Sequence, residues 1–394
     1  MSITSDRRLS IPAREIVAVL DEFHRSTPRP VALHEPSFDG HERAYVNNCL
    51  ETGWVSYLGE YVDRFEEMLS ARTRIRHAVA VVNGTCGLHL SLVIAQAGMG
   101  QEVLMPAITF VAPANATALA GAIPHFVDIE RTRMGIDSER LRNYLGETAE
   151  VRNGQCYNLS SGRQIKALIA VHAFGHPVDL DPLADLCEEY GIVLIEDAAE
   201  ALGTLYKGRH VGNWGRLAVL SFNGNKIVST GGGGAVLTND ENLALRARHL
   251  STTAKMPHAW HFQHDEIGFN YRMPNTNAAI GCGQLEQLDV FLERKRALAH
   301  RYAIAFEGLD GASFIQEPAH ARSNYWLNSI LLSEKCAPER EKVLAEAHRR
   351  GLMLRPVWQP LHRLPMFRNC PRMDLPVSEE IASRLINLPS SATL

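Results

Sequence analysis

Between residues 78 and 238, short apolar runs alternate with amphipathic stretches, and this alternation constrains the fold more than any other feature. Runs at 78–82, 102–106, 124–128, 167–173, 192–195, 217–222 and 233–238 read as strands, and stretches at 84–97, 111–120 and 180–190 read as helices. The strand runs are continuously apolar, as expected of strands buried on both faces. Such strands joined by helices predict an α/β fold with a mostly parallel sheet covered on both sides. Residues 137–165 read as a polar excursion from the pattern.

A chain of 394 residues exceeds one typical core, so a large domain with a smaller companion is expected. Residues 1–32 read as a peripheral N-terminal arm with one short amphipathic helix around 12–24. Residues 33–275 form the large domain, with helical pattern from 38 to 72 interrupted at Trp54-Val55-Ser56. Residues 276–394 supply a linking helical stretch at 277–308 and a small C-terminal α/β domain. That domain has strands at 328–332 and 354–356 and helices at 338–349 and 378–385.

A net charge of −4, from 40 basic and 44 acidic residues, gives no sign of a nucleic-acid surface. The seven cysteines include no CxxC pair, so neither a disulfide framework nor a structural metal site is expected, and a reducing cytoplasm fits. The charged N-terminus does not read as a signal peptide, and the apolar runs are strand-length, so no membrane association is expected.

Four features bear on chemistry. An apolar strand runs into Glu196-Asp197, and ligands in open parallel sheets sit beyond the carboxyl ends of strands. The plainer reading is a helix cap or first-turn acid. A second strand delivers Ser221, followed by Lys226 and the glycines 231–234. A lysine of depressed pKa is the residue for a Schiff base, and a serine hydroxyl with loop amides holds a phosphate. The plainer reading is a surface lysine before a glycine-rich hairpin. Asn83-Gly84-Thr85 stands where a strand enters a helix, as an anion cradle or as a simple cap. Phe110 follows another strand on the same sheet edge, to stack on a planar ring or to pack. Together these are the parts a pyridoxal phosphate site needs: phosphate cradle, stacking aromatic, acid for the pyridine nitrogen, and lysine for the aldehyde.

In sequence order, Asn83-Gly84-Thr85, PAITFVAPANA (106–116), EDAAEALG (196–203), SFNGNK (221–226) with GGGGA (231–235), and GFNYRMPN (268–275) resemble the DegT/DnrJ/StrS sugar aminotransferases over residues 33–391. The resemblance implies a fold type I pyridoxal-5′-phosphate-dependent aminotransferase with a seven-stranded large-domain sheet, working as a homodimer with shared active sites. It implies Lys226 as the Schiff-base lysine and Asp197 as the partner of the pyridinium nitrogen. Phe110 would stack on the ring, and Gly84, Thr85 and Ser221 would bind the phosphate. Asn270 would reach the phosphate of the neighbouring subunit's cofactor. Glu200 stands where many members of the family carry glutamine near the ring hydroxyl.

Within the family, LHEPSFDGHERAYV (33–46), HAFGHPVDLD (172–181), STTAKMPH (251–258), SNYWLN (323–328) and RPVWQPLHRLPMF (355–367) resemble the legionaminic-acid-pathway type. That implies amination of C4 of a UDP- or GDP-linked 4-keto-6-deoxy-N-acetylhexosamine with L-glutamate as donor. Tyr57 replaces a second serine usual near the substrate in the family. A perosamine-type enzyme acting on GDP-4-keto-6-deoxymannose is the near alternative, and a non-catalytic cofactor- or sugar-nucleotide-binding regulator is the alternative of another class. Family dehydratases carry histidine in place of the lysine, and Lys226 argues against that activity. No glycine fingerprint with a following acid supports a Rossmann dehydrogenase. His258, His261 and His264 read as a polar loop rather than a metal site. His172 and His176 read as structural, and Trp326 and Trp358 as cleft-lining or core residues.

Overall fold

The computed structural model describes residues 9–394. Seven strands form the main path of the large sheet: β1 (His77–Val81), β2 (Glu102–Pro106), β3 (Ile123–Val127), β4 (Gln164–Val171), β5 (Val193–Asp197), β6 (Leu217–Ser221) and β7 (Gly234–Thr238). Their spatial order is β1-β7-β6-β5-β4-β2-β3. Every pairing from β6 to β3 is parallel, and β7 runs antiparallel to both β1 and β6. Residues Val103 to Met105 of β2 and Leu168 to Ala170 of β4 are fully buried, as the continuous apolar runs require.

The polar excursion is ordered. It holds a helix, Ser138–Thr148, capped by Asp137, whose carboxylate accepts the Arg140 N–H at 3.0 Å. A hairpin of Ala149–Arg152 and Gln155–Asn158 then adds to the start of β4. Both strands of the hairpin are partly polar because much of it faces solvent.

The small domain is built on a four-stranded antiparallel sheet in the order Ala312–Phe314, Asn328–Leu332, Leu385–Leu388, Arg355–Pro356. Residues 378–385 read as one helix in sequence, but the helix Pro376–Arg384 passes directly into the strand Leu385–Leu388. The helix is tied to the large domain by Asp128, which follows β3. Asp128 accepts N–H bonds from Val377 at 3.1 Å and Ser378 at 2.8 Å, and pairs with Arg140.

The N-terminal helix Ile11–Phe23 is not peripheral. Its apolar face (Ala13, Ile16, Val17, Leu20) is buried in one cluster with Tyr302, Ile330, Val343 and Leu352. Val31 then pairs with Leu352. Residues 9–31 therefore complete the small domain's core; residues 1–8 of the expected arm lie outside the described residues. Among the described residues no helix is long and apolar enough to cross a membrane.

Lys295, on the long helix Leu288–Ala305, is fully buried with no carboxylate partner among the described residues. Its Nζ donates to the Trp326 carbonyl at 3.1 Å and to the Ser390 carbonyl. Burial pulls its pKa down to about 7. The unfolded chain thus binds a proton that the folded chain lacks between about pH 7 and the ordinary lysine range near 10.5. Stability from this group is accordingly lowest below pH 7 and rises with pH through that window. Urea denaturation of wild type and Lys295→Met across pH 6–9.5 should show a rise in stability in the wild type that the variant lacks. Parallel curves would refute the buried-lysine account.

Candidate active site

The carboxyl ends of β1, β2, β5 and β6 open onto one cleft of about 580 Å³. This is the edge where parallel sheets place ligands. Asp197, Glu200, Ser221, Lys226, Gly84, Thr85 and Phe110 all line it.

Asp197 ends β5 and is only 5% exposed. Burial pushes its carboxyl above the usual range; the Ala199 N–H, 3.1 Å away, and the charges of Lys226 and His172 offset this in part. Glu200, three residues on, is also buried. Its Oε1 accepts from Lys226 Nζ at 3.2 Å and its Oε2 accepts the Phe174 N–H at 2.8 Å. Burial again pushes the carboxyl up, opposed chiefly by Lys226. The Lys226 ammonium lies 3.7 Å from the centroid of the Trp326 ring, a cation–π distance. The indole N–H of Trp326 in turn donates to the Asn225 carbonyl at 2.7 Å, so ring and lysine loop are fixed together.

Glu196, the first acid of the pair, plays a different part. Its carboxylate accepts N–H bonds from Gly212, Trp214 and Gly215 at 2.5, 2.8 and 2.6 Å and contacts His172 Nε2 at 3.0 Å. Burial pushes its carboxyl up, but His172 and these amides outweigh it and hold the group below the usual range. Glu196 and His172 thus order the core under the cleft.

At the opposite wall, the helix Gly84–Ile94 points its N-terminus at the cleft. Asn83 caps it by accepting the Cys86 N–H at 2.8 Å, which leaves the first-turn amides of Gly84 and Thr85 for an anion. A Cβ on Gly84 would lie 3.0 Å from Ser221 Cβ and 3.3 Å from its Oγ, so the serine sits against this helix end. A Cβ on Gly234 would lie 2.6–2.8 Å from the Asn83 and Gly84 backbone; only glycine lets β7 pass so close. Phe110, 53% exposed, stands open at the cleft wall.

Asn270 is not in this cleft. It is exposed, and its backbone bridges to Thr252. His258, His261 and His264 lie on an exposed segment, where His258 Nδ1 accepts the His261 N–H at 2.9 Å. The ligand-type atoms of His249, Asp265 and Glu266 do gather within 4.8 Å, but Arg246 already pairs with Glu266. His176 is buried in edge contact with Tyr325.

The small domain contributes more of the cleft than the motifs suggested. Trp326, Trp358 and Arg355 line it, with Trp358 stacked on Phe174 at 4.9 Å. Asn324 is the clasp: its Nδ2 donates to the Glu200 and Leu202 carbonyls, each at 2.9 Å, and its Oδ1 accepts the Trp326 N–H at 2.8 Å. The SNYWLN run contains these residues, yet nothing in the run marks Asn324 as the bridge. His34, also on the wall, belongs to the LHEPSFDGHERAYV run, yet nothing in that run marks it as a cleft residue.

The fold and cleft define a fold type I aminotransferase. Residues 36–394 match the DegT/DnrJ/EryC1/StrS aminotransferase family, and the chain belongs to it. The Bacillus subtilis protein EpsN, provisionally described as a pyridoxal phosphate-dependent aminotransferase, is 38% identical over 86% of this chain and 84% of its own. The GDP-perosamine synthase of Vibrio cholerae is 35% identical over 91% of this chain and 94% of its own. The crystal structure of the aminotransferase TlmJ from Streptoalloteichus hindustanus superposes with a TM-score of 0.83 at 29% identity, covering 92% and 94% of the two chains. The protein is a pyridoxal-phosphate-dependent sugar aminotransferase.

Asp197 tests the electrostatics. An acid whose folded pKa is raised costs stability while charged, above the folded pKa, and costs nothing below the unfolded value near 3.9. Without cofactor, Asp197→Asn should therefore be more stable than wild type at pH 7, with the gap closing as pH falls toward 4. An asparagine variant less stable at pH 7 would contradict this reading.

Proposed function

We propose that the chain moves an amino group from L-glutamate to the C4 ketone of a nucleotide-linked 4-keto-6-deoxy-N-acetylhexosamine, giving the 4-amino-4,6-dideoxy sugar nucleotide and 2-oxoglutarate. The observation that supports the amino transfer is the convergence of Lys226, Asp197 and the Ser221–Gly84 cradle on one cleft at the carboxyl ends of three strands of one sheet. The N-acetylhexosamine acceptor rests on the resemblance of the runs at 33–46, 172–181, 251–258, 323–328 and 355–367.

The residues fit pyridoxal phosphate. The helix N-terminus with the Ser221 hydroxyl suits a phosphate. A buried carboxylate with one N–H bond and, among the described residues, no ion-pair contact, Asp197, suits a cationic ring nitrogen. The open face of Phe110 suits an aromatic ring. When bound, the group supplies an electrophilic aldehyde and an electron-accepting ring.

Lys226 is the residue that would hold the cofactor through its Nζ, and with the amine free it would take the proton from the α-carbon of L-glutamate. In the second half-reaction the same Nζ delivers a proton to C4 of the sugar. Asp197 keeps the ring nitrogen protonated. Glu200, 3.2 Å from Nζ, holds the amine at its station between the two transfers. Trp326, packed against Nζ, shields that side from water. A second copy of the chain supplies Asn270 to the phosphate, in keeping with its position outside its own cleft.

A perosamine-type reaction on GDP-4-keto-6-deoxymannose is the second reading, favoured by the similarity to GDP-perosamine synthases. Presenting the holoenzyme with L-glutamate and each keto-sugar nucleotide, with products read by mass spectrometry and NMR, separates the two. Amination of the N-acetylated sugar supports the first reading, and exclusive amination of the mannose derivative replaces it with the second. Lys226→Ala should retain bound cofactor while losing at least ~10²–10⁴ in turnover. Wild-type rates in that variant would sink both readings.

A further inference from the structure

Trp358 lies on the small-domain wall of the cleft, stacked on Phe174 with ring centroids 4.9 Å apart and planes 10° from parallel. Phe174 is 1% exposed and does not itself line the cleft. It stands behind the tryptophan, so one indole face is occupied by Phe174. Trp358 is nevertheless only half-buried, and the face turned away from Phe174 is the one it brings to the cleft.

The stack is anchored beside the reacting amine. Phe174 is held at φ 59°, a left-handed conformation that costs a bulky residue energy and persists only where its surroundings impose it. There its N–H donates to Glu200 Oε2 at 2.8 Å and its carbonyl accepts the Leu327 N–H at 3.3 Å. Glu200 Oε1 in turn is 3.2 Å from Lys226 Nζ. The indole is thus placed by a residue one carboxylate removed from Lys226. The residues that fit the cofactor, from Gly84 to Lys226, all belong to the large domain, where Phe110 already offers the cofactor ring an aromatic face. Trp358 belongs to the small domain and is left for the substrates, which use the site in turn.

The two substrates differ in what an indole face can hold. L-glutamate is a flexible chain with charge at each end and no flat apolar surface. A hexose ring has faces lined with C–H groups, and a 6-deoxy sugar carries a methyl group on the carbon beside C4. C–H surface packs on the electron-rich face of an aromatic ring, and indole offers the largest such face among side chains. C4 has to reach the cofactor at Lys226, whereas C1, which bears the nucleotide, lies across the sugar ring from it. The place beside Lys226 therefore falls to the sugar ring rather than to the base.

We propose that Trp358, backed by Phe174, is a specificity-determining platform on which the C–H face and methyl group of the keto-sugar pack, and that it takes no part in the glutamate half-reaction. The inference rests on the keto-sugar acceptor given under Proposed function, holds for either sugar named there, and deepens that reading by assigning one wall of the cleft to the sugar ring.

The test uses the holoenzyme and its Trp358→Leu and Trp358→Phe variants. The half-reaction with L-glutamate is followed by the cofactor's absorbance. Binding of the keto-sugar nucleotide, and of UDP or GDP alone, is followed by calorimetry with the cofactor in its aldehyde form, which has no amino group to transfer, and KM is measured in turnover. Trp358→Leu, which keeps bulk over Phe174 but removes the aromatic face, should raise Kd and KM for the keto-sugar nucleotide about tenfold. The glutamate half-reaction and the binding of the nucleoside diphosphate alone should stay within about twofold. Trp358→Phe, which keeps a smaller face, should lose less than the leucine variant. If the leucine variant does not hold cofactor, the phenylalanine variant carries the test, with an expected rise in sugar Kd of about threefold. Unchanged sugar Kd and KM, a phenylalanine variant as weak as the leucine variant, or an equal loss with the nucleoside diphosphate alone would overturn the platform. An equal loss in the glutamate half-reaction would overturn it as well, reducing Trp358 to packing behind Phe174 and Glu200. A wild-type enzyme that reacts with glutamate but aminates no keto-sugar nucleotide would overturn the substrate reading and the inference with it. An active wild type beside an indifferent variant overturns the inference alone.

Discussion

Two carboxylates, Asp197 and Glu200, are buried beside a single lysine at the end of one parallel strand, and the surrounding structure follows from holding that arrangement. Glu200 has Lys226 at 3.2 Å, while Asp197 has one backbone amide and, among the described residues, no ion-pair contact. Burial raises both pKa values, so each carboxylate is held at a cost in stability. The acid next in sequence shows the contrast: Glu196, with three amides and His172 about it, lies below the usual range. Two adjacent acids on one strand therefore face opposite environments. One is fully bonded into the core, and the other is left to meet a cation in the cleft.

Rigidity for this arrangement comes from both domains. Trp326 packs on the lysine from the small domain, and Asn324 fastens its segment to the Glu200 and Leu202 carbonyls. Lys295 then holds the Trp326 carbonyl from beneath. Asp128 caps a small-domain helix from the end of a large-domain strand. The N-terminal helix closes the small domain's core. The cleft wall is thus a joint product of segments far apart in sequence.

The parallel sheet was legible because strands buried on both faces write themselves as unbroken apolar runs, and Leu104 and Ile169 sit where those runs placed them. The residues that gather in the cleft were legible where a strand end, a helix start and a glycine-rich turn coincide in sequence. Other parts were not legible, for physical reasons. The helix Ser138–Thr148 and the hairpin after it have a mean composition that looks like loop, because solvent covers much of each element. The helix Glu241–Ser251 buries only Ala244, Ala247, Leu250 and Ser251, so its apolar stripe is too thin to stand out beside the glycine run. The strand Leu385–Leu388 follows a helix with no turn residue between them, so its apolar run merged with the helical pattern. The helix Ile11–Phe23 showed its apolar face, but its partners, Tyr302 and Val343, lie hundreds of residues away. Asn324 acts through non-local contacts, to which local pattern is blind.

The central claim is that Lys226, held between Glu200 and Trp326, is the residue that carries the cofactor. Borohydride reduction of the purified holoenzyme fixes a lysine-bound pyridoxyl group in place, and peptide mass mapping then locates it. The structure predicts the label on Lys226, with none on Lys295 despite that lysine's depressed pKa, because its amine is enclosed between two carbonyls away from the cleft. Label on another lysine, or none on the loaded protein, would contradict the account.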